Sequence, residues 1–199
     1  MTSPIGGPPF AAGGCKRGRP SPQVLVVGLG SRWRNDDGVG LEVARSVAER
    51  GIGRTFPTCR ILAPIADPLD LLLHWDGVEL AVVVDATRSG SAPGKISRIE
   101  LEQPDGARSS AHASTDTRPA RRPPDTRTAH GPSSTHGIGL AGVLRLGRSL
   151  GRAPARTVII GVEGQNFGQG SHLSPAVAAA VDGAAAAVIA EVREGVECA

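Results

Sequence analysis

Aromatic residues are scarce in this chain: it contains no tyrosine, and phenylalanine and tryptophan together make up 3% of its 199 residues. Alanine, valine, leucine and glycine are abundant instead, and a hydrophobic content of 40% is enough for a sizeable core. Such a composition favours aliphatic helices packed closely on an aliphatic sheet, which predicts an α/β protein. The length fits one domain.

Cysteine is also scarce, and no two cysteines have the spacing of a CxxC motif. The chain has three of them, an odd number: Cys15, Cys59 and Cys198. This pattern argues against a thiolate metal site and indicates a reducing compartment. The N-terminal residues lack the apolar segment of a signal peptide, and no uninterrupted apolar run reaches membrane length. We therefore expect a cytoplasmic monomer without a membrane partner.

An excess of positive charge is absent from the part of the chain that we expect to fold. Residues 1–22 carry three basic and no acidic groups, and residues 103–132 carry five basic and three acidic groups. The chain has 22 basic and 19 acidic groups in total, so 14 basic and 16 acidic groups lie outside these two segments. A slightly acidic domain of this kind does not indicate a nucleic-acid partner.

Strand and helix patterns alternate between these two segments and after them. Residues 1–22 and 103–132 are rich in small, polar and proline residues, so we predict a disordered tail and a disordered insertion within a single domain spanning 23–195. Apolar runs predict buried strands at 24–27, 80–85 and 157–162, and a weaker pattern predicts an edge strand at 95–101. Helical patterns begin near residues 39, 68, 139 and 175. This order predicts a three-layer α/β/α sandwich with a mostly parallel sheet.

The first strand runs directly into a glycine-rich turn that carries two adjacent carboxylates, in VLVVGLGSRWRNDDGVG (24–40). A dinucleotide fingerprint is disfavoured, because Trp33 stands where GxGxxG needs its third glycine. Asp36 and Asp37 then have two interpretations. They cap the following helix, or they belong to a site at the carboxyl end of the strand. If Asp36 is only a cap, asparagine would replace it with little loss.

Three side chains could converge at the carboxyl edge of the predicted sheet, where ligands of open α/β sheets bind. Asp37 follows the first strand, Asp85 ends the second apolar run, and His136 precedes the next helix. Taken singly, an Asp at the end of a strand is more often a capping or loop residue, and a His before a helix is more often a surface residue. Together, two carboxylates and one imidazole suit a borderline divalent metal ion with open coordination positions. The other four histidines lie in less suitable places: His74, His112, His130 and His172.

These segments resemble the hydrogenase maturation proteases, which trim the C-terminal extension of [NiFe]-hydrogenase large-subunit precursors. The resemblance covers residues 23–193 apart from the insertion, and three blocks occur in the family's order: VLVVGLGSRWRNDDGVGLEVARSVAE, LAVVVDATRSGSAPGKI, and SSTHGIGLAGVLRLGRSLGRAPARTVIIGVEGQNFGQGSHLSPAVAAAV. It implies a five-stranded twisted sheet between helical layers. It also implies that Asp37, Asp85 and His136 surround nickel, which the precursor itself supplies.

On this resemblance we expect an endopeptidase of aspartic or metal-assisted type, with Asp37 and Asp85 as catalytic residues and Asp37, Asp85 and His136 as metal ligands. The expected partner is the large-subunit precursor after nickel insertion. The chain departs from the family at residues 62–67, LAPIAD, where many relatives carry a Gly-Gly-Thr segment along the substrate cleft. Two alternatives remain: a non-catalytic sensor or chaperone for the immature subunit, and a small-molecule enzyme of the same sandwich class.

Overall fold

The computed structural model describes residues 23–102 and 139–197. The described strands are β1 (Gln23–Leu29), β2 (Cys59–Ile65), β3 (Val78–Thr87), β4 (Ile96–Glu102) and β5 (Arg156–Glu163). The described helices are α1 (Val39–Glu49), the short α2 (Ile52–Thr55), α3 (Leu140–Ser149) and α4 (Pro175–Glu197). The predicted tail, the predicted insertion and His136 lie outside the described residues.

The five strands form one sheet in the order β2-β1-β3-β5-β4. All neighbouring pairs are parallel except β4 and β5, which run antiparallel, so the predicted mostly parallel sheet is confirmed. The weakly patterned β4 lies at one edge, as predicted. The other edge strand, β2, had no clear pattern in the sequence. Because β1 and β3 are neighbours, the loops that follow them meet at the carboxyl edge of the sheet.

Each face of the sheet carries its own hydrophobic core, because successive side chains of a strand point to opposite faces. In β3, Val82 and Val84 pack with α1 and α4, whereas Ala81 and Val83 pack with α3 and residues 68–75. Three valines spaced four residues apart on α1 are fully buried in the first core: Val39, Val43 and Val47. The three-layer arrangement is therefore confirmed.

The segment that begins at Asp67 forms a 3₁₀ helix, Pro68–Leu73, rather than an α-helix. Its start follows the sequence pattern, since the Asp67 carboxylate accepts a hydrogen bond from the N–H of Leu69 at 2.9 Å and Pro68 occupies the first turn. The 3₁₀ helix ends at His74, and residues 75–77 connect it to β3.

Helix α4 is apolar over 22 residues, Pro175–Val196, which is enough by length and composition to span a membrane. In this fold the helix packs on the sheet, and Val177, Ala184, Val188 and Val192 are fully buried in the first core. Core helices of globular proteins commonly have this composition, so the observation is weak evidence for a membrane segment.

Candidate functional site

Asp37 lies in the tight loop between β1 and α1, which includes a 3₁₀ turn at Asn35–Gly38. Only 2% of its surface is exposed, and its Oδ2 accepts a hydrogen bond from the N–H of Ser31 at 2.9 Å. Gly30 has a φ of +117°, and a Cβ there would collide with the backbone carbonyl of Asp37. Glycine is thus required for the loop to fold back and hold this carboxylate at the end of β1.

Asp85 lies near the carboxyl end of β3, beside Gly161 of β5. It follows the alternation of Ala81 and Val83, so its side chain is on the face of the sheet that carries α3. The carboxylate is 8% exposed, and among the described residues it accepts a hydrogen bond from the N–H of Ala86 at 2.9 Å.

Burial and, to a smaller extent, the negative charge of Asp37 raise the pKa of Asp85 to about 7, against the lowering effect of the Ala86 N–H. A charge effect of one carboxylate on the other indicates that the two lie near each other. Asp85 therefore exchanges a proton near neutral pH, which is a property of general acids and bases. The structure brings together two of the three predicted site residues.

Asp36 does not cap the helix that follows it in the sequence, so that interpretation was wrong. Neither the 3₁₀ turn nor α1 has a side-chain cap. The fully buried Asp36 carboxylate instead binds the loop between β5 and α4: it accepts hydrogen bonds from the N–H groups of Gln165 (2.8 Å), Asn166 (2.7 Å) and Ser174 (2.6 Å) and from the Ser174 hydroxyl (3.0 Å). Burial opposes ionisation, but these donors outweigh it and lower the pKa of Asp36.

Glu163, which the sequence analysis did not single out, has a similar role at the end of β5. It is 3% exposed and accepts hydrogen bonds from the loop after β3, from the hydroxyls of Thr87 (2.8 Å) and Ser89 (2.9 Å) and from the N–H groups of Ser89 and Gly90 (both 2.7 Å). Burial would raise the pKa of Glu163, but these donors lower it overall. The sequence contained a signal that could have identified Glu163, because this residue ends a buried strand, as Asp85 does.

His136, the third predicted site residue, lies outside the described residues. Within residues 23–102 and 139–197, no group of three or more His, Cys, Asp and Glu side chains could hold a metal ion. A complete metal site at this edge would thus need a ligand from elsewhere in the chain or from a partner. Cys59 is a buried free thiol whose pKa burial raises to about 11, which makes it an inert core residue.

Comparisons with known proteins support the fold. No family model matches this chain, and no curated protein matches it. Among solved structures, the chain is similar to the [NiFe] hydrogenase maturation protease HybD from Thermococcus kodakarensis, with 24% identity, a TM-score of 0.59, and coverage of 83% of this chain and 96% of that one. It is also similar to the hydrogenase maturating endopeptidase HybD from E. coli, with 21% identity, a TM-score of 0.62, and coverage of 86% and 93%.

A third similar structure is the [NiFe] hydrogenase maturation protease HycI from Thermococcus kodakarensis KOD1, with 20% identity and a TM-score of 0.55, covering 88% of this chain and 92% of that one. Each comparison spans nearly the whole length of the solved protein. The resemblance stated from the sequence is therefore confirmed at the level of structure: this chain has the fold of the solved hydrogenase maturation proteases.

Proposed function

We propose that this chain is an endopeptidase that removes the C-terminal extension of a [NiFe]-hydrogenase large-subunit precursor after nickel insertion. The observation that carries this proposal is the pair of buried carboxylates, Asp37 and Asp85, at the carboxyl edge of a sheet with the maturation-protease fold. The pair is held by the β1–α1 loop and by β3, so its position is fixed before any substrate binds.

The nickel in this proposal belongs to the substrate. Oxygen ligands from Asp37 and Asp85 and a nitrogen ligand from His136 form a mixed set that suits a borderline divalent ion. Two carboxylates and one imidazole leave positions for the precursor's own nickel ligands. Recognition of the metal then places the adjacent peptide bond next to the two carboxylates, and nickel-free precursor is a poor substrate.

The carboxylates supply the proton transfers of hydrolysis. One carboxylate accepts a proton from water as the water oxygen attacks the scissile carbonyl carbon, and the proton is then delivered to the leaving nitrogen as the C–N bond breaks. The products are a new C-terminal carboxylate on the mature subunit and a free amine on the released extension.

The first prediction tests this assignment with near-isosteric changes. Asp37→Asn, Asp85→Asn and His136→Ala should each lower the trimming rate of nickel-loaded precursor by at least about 100-fold, the usual size of a lost acid–base group. The measurement is the mobility shift of the precursor on a gel. Asp182→Asn is the matched control, because that carboxylate is exposed on α4 and pairs with Arg50 on the surface.

Normal trimming by the Asp85→Asn variant would contradict the catalytic assignment. Equal trimming of nickel-loaded and nickel-free precursor would contradict recognition of the metal. If wild-type protein binds the nickel-loaded precursor but never shortens it, the chain is a sensor of the immature subunit and not a peptidase.

A further inference from the structure

Trp33 stands exposed on a ridge between two cavities at the carboxyl edge of the sheet. We call residues 32–34, Arg-Trp-Arg, the Trp33 ridge. Trp33 is 68% exposed, whereas the other tryptophan, Trp75, is 1% exposed. Trp33 lines a cavity of about 640 Å³ on the side of α1 and β2, and another of about 620 Å³ on the side of residues 167–170. A large apolar side chain between two concavities is typical of a contact site.

The loop that carries the ridge is held in place by the β5–α4 loop. The Trp33 carbonyl accepts a hydrogen bond from the N–H of Gly170 at 3.0 Å, and the N–H of Asn35 donates to the Gly170 carbonyl at 3.0 Å. The Asn35 side-chain amide donates to the carbonyls of Gly168 and Gln169, both at 3.2 Å. Because the backbone of the ridge is fixed in advance, a partner that binds it meets little entropic cost of ordering.

The ridge and its surroundings carry three arginines. Arg32, Arg34 and Arg88 form no ion pair with the described residues, and Arg88 lies over the ring of Phe167 at 4.4 Å from its centre. Arg45 lines the cavity on the α1 side, but it is paired with Glu42 and Glu49. Ion pairs also involve Arg50, Arg98, Arg152 and Arg156. Among the described residues, the ridge itself thus carries two arginines that no acidic side chain neutralises, in a region that is slightly acidic overall, with 14 basic and 16 acidic groups.

The cavity on the α1 side combines the charge of Arg32 with mostly apolar walls. Leu41 and Ala48 of α1 and Ile61 of β2 line it together with Trp33, and the ion pair of Glu42 with Arg45 also lines it. An occupant that fits both features has an apolar side chain flanked by carboxylates. A nucleic acid would instead need positive charge along a continuous path, and the overall balance of charge does not provide one.

We propose that the Trp33 ridge is a docking surface for an acidic, extended segment of a partner protein, with an apolar side chain of that segment in the cavity between α1 and β2. The inference rests on the proposed function, which makes the large-subunit precursor the source of this segment. The ridge holds the partner beside the two carboxylates, and the arginines select segments that carry Asp or Glu.

The two tryptophans make binding measurable on the full-length protein without any turnover. Exposed Trp33 should be quenched by acrylamide and buried Trp75 should not, and Trp33→Phe should remove the quenchable emission. The probe is a short peptide of leucine, glutamate and serine, compared with a peptide of equal length that has lysine in place of each glutamate. We expect the glutamate peptide to shift the emission to the blue and to protect Trp33, and the lysine peptide to do neither.

Replacing both ridge arginines, Arg32→Ala with Arg34→Ala, should weaken binding of the glutamate peptide roughly fivefold, as expected for the loss of two solvent-exposed charge contacts. Arg193→Ala should leave it unchanged, because Arg193 is exposed near the far end of α4, roughly 27 Å along the helix from Pro175. The same double variant should raise KM for nickel-loaded precursor by a similar factor without lowering kcat.

Three results would overturn the docking surface: equal protection by the lysine peptide, protection by a single-stranded oligonucleotide in place of the glutamate peptide, or protection that appears on raising the protein concentration alone. The peptide assay tests the docking surface and the trimming assay tests the proposed function, so either proposal can be contradicted without the other. If the peptide protects Trp33 but no precursor is trimmed, the proposed function is wrong and the surface stands. If the double variant trims the precursor with an unchanged KM, the proposed docking surface is wrong and the proposed function stands.

Discussion

Asp36 and Asp37 are chemically identical neighbours with different environments. Asp36 is surrounded by four hydrogen-bond donors from the β5–α4 loop, whereas Asp37 lies next to a second carboxylate, Asp85. Donors stabilise the charged form of Asp36, while the negative charge of Asp37 stabilises the protonated form of Asp85. The first aspartate therefore holds two loops together, and under the proposed function the second acts with Asp85 on the substrate.

A second prediction concerns Asp36→Asn. An amide can offer only one oxygen, so its NH₂ group would face at least one N–H donor of Ser174, Gln165 or Asn166 in a fully buried position. We expect a loss of about 1–3 kcal/mol in the free energy of unfolding. Urea denaturation of this variant, beside Asp182→Asn, is the measurement. An unchanged midpoint for Asp36→Asn would show that the carboxylate does not hold the two loops.

A third prediction follows from Glu163, whose pKa is lower in the folded protein than its ordinary value of 4.5. A lowered pKa means that its stabilising effect is complete above the unfolded-state pKa and is lost as the pH falls through the folded-state pKa. Glu163→Gln should therefore lower the free energy of unfolding at pH 7 and should flatten its dependence on pH below about 5. Chemical denaturation at a series of pH values measures both effects. Identical slopes for the two proteins would contradict this role.

A fourth prediction concerns retained metal. The protein's own ligands at the proposed site are oxygens of two carboxylates and one imidazole nitrogen, without thiolates, so the free enzyme should hold divalent ions weakly. Elemental analysis after purification should find no tightly held zinc. One zinc ion per chain that resists EDTA would favour a resident metal over nickel supplied by the substrate.

At the scale of helices and strands, the residues that make a buried strand were recognisable where the strand is covered on both faces. The apolar runs of β1, β3 and β5 predicted these strands to within two residues at either end, and the edge position of β4 was also predicted. Strand β2 was not recognised from its pattern, because it is half exposed and contains Pro64, which is compatible only with an edge position. Its pairing partner, β1, decides its conformation.

The two carboxylates of the candidate site were also predictable from the sequence. Asp37 and Asp85 follow apolar strands, and neighbouring parallel strands place such residues at one edge. The partners of Asp36 were not predictable, since Gln165, Asn166 and Ser174 lie 129, 130 and 138 residues away in the chain. Local sequence contains no information on contacts at that separation, so a helix cap was the natural interpretation of Asp36.

A fifth prediction tests α4 as a core helix. Val188 is fully buried against the sheet, while Ala186, two residues earlier, is exposed. Val188→Ala should cost about 1–3 kcal/mol in the free energy of unfolding, and Ala186→Lys should change it by no more than about 0.5 kcal/mol. Thermal melts of the two variants provide the comparison. A larger loss of stability in Ala186→Lys than in Val188→Ala would contradict the packing of this helix on the sheet.

At the scale of the whole molecule, the sequence predicts that residues 1–22 and 103–132 contribute little to stability, because both lack the apolar content that offsets the entropy of ordering. Deletion of either segment should change Tm by no more than about 3 °C. Differential scanning fluorimetry of the two truncated proteins, with the full chain as reference, measures this. Loss of soluble protein in both cases would show that the segments pack on the rest of the chain.

The distances along the chain between Asp36 and its partners also set an order of events in folding. The Asp36 carboxylate has its hydrogen bonds only when residues 165–174 have packed against the β1–α1 loop, which requires synthesis of the chain as far as Ser174. Closing a contact across some 130 residues carries a loop entropy that the completed sheet must first offset. A growing or truncated chain that ends before Gln165 therefore has both aspartates but lacks the donors that hold Asp36. Under the proposed function, hydrolysis then begins only when the fold is finished.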